Sequence, residues 1–127
     1  MEPLFLTLDE VLALHQVQIE LFGGSGGVRD LGLLQSAMGN VEATFGGQLL
    51  HETLVEMAAA YLYGICRNHP FVDGNKRTAA ATALTFLDMN GIELDVAEDD
   101  LYDLVIGVAE GRVSKAAIAV FFEQRAR

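Results

Sequence analysis

The stretch NHPFVDGNKRTA, residues 68–79, decides how this chain is read. It sets a histidine, a proline, a phenylalanine, an aspartate, a glycine and two adjacent cations between two apolar segments of helical period. Pro70 disfavours helical geometry at His69, so a helix arriving from the N-terminal side ends there with the imidazole at its edge. A second helix starts near Asn75. Lys76 and Arg77 then fall in its first turn, at the partly positive end of the macrodipole, where each cation costs roughly a few tenths of a kcal/mol. Packing offers no gain for that arrangement. A bound anion does, because Gly74 lets a ligand approach the backbone, the N–H groups of the first turn point outward, and two cations stand beside them. Arg67, Lys76 and Arg77 are three of eight basic residues, gathered within eleven positions of a chain whose net charge is −10.

Asp73 is the one carboxylate in this loop. Beside a polyphosphate its natural task is to hold Mg²⁺, which prefers one or two carboxylates plus water and phosphate oxygens. His69, an imidazole, can accept a proton from an incoming hydroxyl. Phe71, between them, faces inward and anchors the loop to the core. Taken singly, each has an ordinary structural reading: His69 as a helix-end residue, Asp73 as a turn former before glycine, Lys76 and Arg77 as solvated surface. Their conjunction describes nucleotide-dependent transfer to a hydroxyl group, with Mg²⁺ at Asp73.

The rest of the chain reads as an all-α domain spanning residues 1–127. Thr7 and Glu10 make a capping box before a first helix whose Leu8, Val11, Leu12, His15, Ile19 and Phe22 fall near one face, with Gly23 and Gly24 as its stop. GGSGG at 23–27 fits no dinucleotide fingerprint and reads as a flexible turn. Asp30 caps a second helix, and NVEATFGGQLL, residues 40–50, reads as an irregular connection. A third helix covers roughly residues 50–68, with Leu54, Ala58, Tyr61 and Ile65 on one stripe. The fourth runs from Asn75 to Asn90 and stops at Gly91. Two more follow, the last capped by Ser114, which gives about six helices with the loop between two central ones.

Composition excludes several function classes. The acidic field repels phosphate at a distance, which argues against non-specific nucleic-acid binding and against anionic membranes. No apolar run approaches a membrane span and the N-terminus is no signal peptide, so a cytoplasmic protein is expected. A lone Cys66 makes no internal disulfide and reads as a buried, inert thiol. HETLV, from His51, begins like a zinc-protease motif but places Val55 where the second ligand belongs. Glu98, Asp99 and Asp100 read as a solvated helix start rather than a metal site.

HPFVDGNKR, residues 69–77, resembles the signature loop of the Fic/Doc superfamily, H-x-F-x-(D/E)-(G/A)-N-(G/K)-R, at every specified position. ALHQVQIELFGG, GVRDLGLLQSAM, TAAATALTFLDMNG and VIGVAEGRVS are similar to the death-on-curing branch of that family, so the likeness covers nearly the whole chain. The resemblance implies a Fic fold in which His69 is the base, Asp73 the Mg²⁺ ligand, Gly74, Asn75, Lys76 and Arg77 the phosphate-binding turn, and Phe71 the loop's anchor. It places EATFGGQLL where the family carries its target-docking flap. Lys76 stands where the adenylylating members have glycine, and Ala80 where they have a second arginine. The death-on-curing branch shares both features and binds ATP reversed, so the resemblance implies transfer of the γ-phosphoryl group to a threonine of elongation factor Tu. Two other readings remain: a nucleotidyl transferase on the same fold, and a non-catalytic corepressor module. The self-inhibitory motif of other members, [S/T]-x-x-x-E-[G/N], is missing, because Ile106 precedes Glu110-Gly111 where Ser or Thr is needed. Restraint is therefore expected in trans, from a small antitoxin of the Phd type whose C-terminal segment folds into a groove.

Overall fold

A computed structural model describes residues 2–127. In chain order it contains α1 (Leu8–Phe22), α2 (Leu31–Val41), a short antiparallel hairpin of β1 (Thr44–Phe45) and β2 (Gln48–Leu49), α3 (Leu54–Asn68), α4 (Asn75–Met89), α5 (Glu98–Ala109) and α6 (Lys115–Arg125). The described residues adopt the expected all-α class, with six helices. Local chemistry sets most boundaries. The Thr7 hydroxyl accepts from the Glu10 N–H and the Glu10 carboxylate from the Thr7 N–H, closing the capping box that starts α1. Asp30 and Ser114 accept from the N–H groups of Leu33 and Ala117 in the same way. Each such cap contributes about 1 kcal/mol.

α3 lies at the centre, packed by α2, α4, α5 and α6. Ten of its fifteen residues are buried, Val55 and Met57 through Leu62 among them, so it is covered all round. The single stripe expected from periodicity is too narrow an account. Small residues permit this crowding: a Cβ on Gly64 would come within 3.0 Å of the Ala37 Cβ of α2. α3 also begins at Leu54 and not near residue 50, because Thr53 caps it by accepting from the Glu56 N–H. The 40–50 connection, expected to be irregular, pairs Thr44 with Leu49 and Phe45 with Gln48 around Gly46 and Gly47, both at positive φ. Phe45 at its tip is 83% exposed. Phe22 departs from the buried face of α1 and is also exposed, whereas Val11 and His15 are buried.

Residues ahead of α3 carry a pH dependence. His51 is buried, and the Lys115 ammonium donates to its Nε2 at 2.9 Å, which makes the ring neutral; its Nδ1 meets no partner. Burial, then the Lys115 charge, holds the His51 pKa below its usual value. A base whose pKa is lowered by folding binds its proton first in the unfolded chain, so stability is lost as pH falls through about 6.5, the unfolded value. The urea midpoint is expected to drop between about pH 7.5 and about pH 5.5, above the carboxylate range, and His51→Gln is expected to flatten that drop.

Candidate active site

The loop between α3 and α4 is held by its own side chains. His69 caps α3 in the left-handed region (φ 52, ψ 54), a conformation in which few residues other than glycine sit. Its imidazole is exposed. Phe71 is fully buried, and Asn75 clasps its backbone from both sides: the Phe71 N–H donates to Asn75 Oδ1 at 2.9 Å and Asn75 Nδ2 donates to the Phe71 carbonyl at 3.0 Å. The Asn75 side chain is thereby committed inward, and its share in an anion site is confined to its backbone N–H.

Gly74 is left-handed (φ 78) and caps α4 without a side chain. Thr78 N–H donates to the Gly74 carbonyl as the first bond of the helix, so the N–H groups of Asn75, Lys76 and Arg77 are the open donors of its first turn. Lys76 and Arg77 are exposed, and the Arg77 guanidinium lies over the Phe22 ring at 4.7 Å. That contact explains the exposed Phe22: the ring steadies a cation at the unfavourable end of a helix. Arg67 does not join this group. Its Nη1 donates to the carbonyls of Val108 and Ala109 at 3.4 and 3.2 Å, at the C-terminus of α5, where a cation meets the negative end of the dipole. The anion cluster read from sequence thus keeps Lys76 and Arg77 and loses Arg67.

The Asp73 carboxylate is exposed and ionised. Its Oδ1 accepts from the Gly74 N–H at 2.8 Å and its Oδ2 from the Ser25 N–H at 3.3 Å. Those two N–H groups, with Arg77 and Lys76 nearby, hold its pKa below the usual carboxylate range. Each oxygen keeps a second lone pair, which suits a cation shared with phosphate. Among the described residues no group of three or more His, Cys, Asp or Glu is placed to hold a metal, so a protein cage is not on offer. Mg²⁺ fits such a site, because it is commonly held by one or two carboxylates with waters and substrate phosphates.

Sequence reasoning missed the residues that brace this loop. The segment 23–30, of which 23–27 was read as a flexible turn, runs alongside it as a strap. Val72 N–H donates to the Gly27 carbonyl at 3.1 Å, and the N–H groups of Arg29 and Asp30 donate to the Pro70 carbonyl at 2.7 and 2.9 Å. The Arg29 side chain forks onto the last carbonyls of α3, from Nε to His69 at 2.7 Å and from Nη2 to Asn68 at 3.0 Å. Glycine is required at position 24: φ is +112, and a Cβ would lie 2.5 Å from Asp73 Oδ2. His15 of α1 stacks on Phe71 from the other side. A cavity of about 450 Å³ between α2 and α3, lined by Ser36, Asn40, Tyr63 and Arg67, reaches Asn68 beside His69. Glu110, the acid of the incomplete inhibitory motif, pairs with Arg112 at 2.6 Å. Cys66 is buried, and burial pushes its thiol up to about 12.

Residues 5–87, which include α1, the strap, the loop and nearly all of α4, match the Fic/DOC family. The chain belongs to that family. It is 37% identical over 111 residues to Protein kinase doc of Escherichia phage P1, an overlap covering 87% of this chain and 86% of the relative. It is 43% identical over 107 residues to Toxin Doc of Mycolicibacterium smegmatis, covering 83% and 80% respectively. The family resemblance carried by residues 69–77 therefore extends over most of the chain. No helix among the described residues is long and apolar enough to cross a membrane.

Proposed function

We propose that this Fic/DOC protein is a Doc-type toxin that transfers the γ-phosphoryl group of ATP to a threonine hydroxyl of elongation factor Tu and so arrests protein synthesis. The observation that carries the reading is the pairing of an exposed, left-handed His69 with an α4 N-terminus that bears Lys76 beside an ionised Asp73. Ala80, half-buried on α4, supplies no second arginine for a polyphosphate tail, which favours a nucleotide whose terminal phosphate lies in the turn. The names of the two relatives support the kinase and toxin aspects.

In this reading His69 takes the proton of the acceptor hydroxyl as its oxygen attacks the γ-phosphorus. The bond from that phosphorus to the β,γ-bridging oxygen breaks, and ADP leaves. The N–H groups of Asn75, Lys76 and Arg77, with the two cations, orient the γ-phosphoryl oxygens and offset the charge they gather. Asp73 would hold Mg²⁺, which would supply neutralisation of the phosphate charge. Control in trans by a Phd-type antitoxin is supported by apolar side chains left exposed beside the site: Val17, Leu21 and Phe22 on α1, Val28 on the strap and Val72 in the loop.

Incubation with elongation factor Tu and ATP labelled at either the α or the γ position tests the reaction. Label is expected from the γ position alone, and Lys76→Gly is expected to weaken its transfer. Label arriving from the α position would replace the kinase by a nucleotidyl transferase.

A further inference from the structure

We infer that His15 is a positioning residue of the site, one that sets the Asp73–Gly74 peptide plane and through it the relation between the metal ligand and the anion-binding turn. His15 lies on α1, 4% exposed, and its ring stacks on Phe71 with centroids 3.9 Å apart and planes 6° from parallel. Its Nε2 is 2.8 Å from the Asp73 carbonyl oxygen. A carbonyl can only accept, so Nε2 carries the proton and donates. The same ring lies 3.7 Å from where a Gly74 Cβ would stand, which closes off the space behind the turn.

One imidazole therefore meets Phe71 and the Asp73 carbonyl and backs onto the space beside Gly74, while Asp73 itself is exposed. The carbonyl of Asp73 and the N–H of Gly74 belong to one planar unit and point opposite ways. Pinning the carbonyl toward His15 aims the N–H at Asp73 Oδ1, where it donates at 2.8 Å. It also fixes the direction from which α4 departs, and with it the open N–H groups of Asn75, Lys76 and Arg77. Rotation of this one peptide would take the Gly74 N–H off the Asp73 carboxylate and so loosen the metal ligand from the anion-binding turn. The proposal deepens the phosphoryl-transfer reading and rests on it for its kinetic consequence.

Two substitutions separate positioning from packing. His15→Phe keeps the ring, the burial and the stack on Phe71 but removes the donor. His15→Gln loses the stack yet places an amide nitrogen close to where Nε2 was, so it can still donate to Asp73. The expected result is a crossed order. His15→Phe melts near the wild type but shows kcat at least about tenfold lower, the scale of losing an orienting contact. His15→Gln melts lower and recovers most of kcat. Calorimetric affinity for Mg²⁺·ATP should follow the same order as kcat. In the ligand-free protein amide exchange at Gly74 should quicken in His15→Phe and stay near the wild-type rate in His15→Gln.

Activity, nucleotide affinity and Gly74 amide exchange that simply track melting temperature, with His15→Gln the most impaired, would overturn the proposal. So would a His15→Phe protein indistinguishable from the wild type. Should the wild type transfer no phosphate at all, the proposed reaction fails, while Gly74 amide exchange and Mg²⁺·ATP affinity still decide the role of His15.

Discussion

His69→Ala is expected to lower phosphoryl transfer by about 100- to 10,000-fold, the usual contribution of a general base, with little change in melting temperature. The imidazole is exposed and lies outside the core, so its removal leaves no cavity. What the position demands of the fold is backbone geometry. φ of 52 at His69 turns the chain out of α3, and the turn is held by the His69 N–H on the Ile65 carbonyl at 3.2 Å and by Arg29 on the His69 carbonyl. His69→Asn supplies the control, because asparagine tolerates the left-handed region better than alanine and has no basic nitrogen. Both variants should be folded and both inactive. A folded His69→Asn protein that transfers phosphate at the wild-type rate would remove the base from the mechanism.

How much of this was legible in the sequence depends on the range of the interactions involved. The end of α3 was legible because Pro70 acts on its immediate neighbour. The starts of α1, α2 and α6 were legible because Thr7, Asp30 and Ser114 cap residues three positions on. The start of α3 was recoverable by the same rule from Thr53 and Glu56, but the apolar residues Leu49 and Leu50 extend the helical pattern past it. The chemical residues of the loop were readable because they are contiguous. Their supports were not, since Ser25 meets Asp73 across 48 residues and Arg29 meets His69 across 40. A glycine-rich segment has the same local appearance whether it dangles or lies flat against a neighbouring turn. Arg67 was misjudged for a related reason: its position beside the loop is local, but the carbonyls that claim it belong to α5, 41 residues away. His15 left a faint signal, a polar ring on the buried face of α1, which by itself does not say what the ring meets.

Asp73→Asn is expected to lower transfer by about 100- to 1,000-fold, the scale of removing one group from a preorganised electrostatic site. The amide keeps the shape of the carboxylate and loses the charge that binds Mg²⁺, so the dependence of ATP affinity on Mg²⁺ should largely vanish in a titration with and without the metal. The structure adds a second consequence. Both carboxylate oxygens accept backbone N–H groups, one from Gly74 within the loop and one from Ser25 in the strap. An asparagine has a single oxygen, and whichever N–H meets its NH₂ group faces a donor instead of an acceptor. The Gly74 bond is the shorter and closes a local ring, so the oxygen stays there and the strap is released. Amide exchange at Ser25 should therefore quicken in Asp73→Asn, while Val72, whose N–H is held by the Gly27 carbonyl, changes less. An Asp73→Asn protein with unaltered metal dependence would reduce Asp73 to a turn residue. Lost activity with unchanged Ser25 exchange would leave the metal role standing and show that the strap is held by Gly27, Arg29 and Asp30 alone.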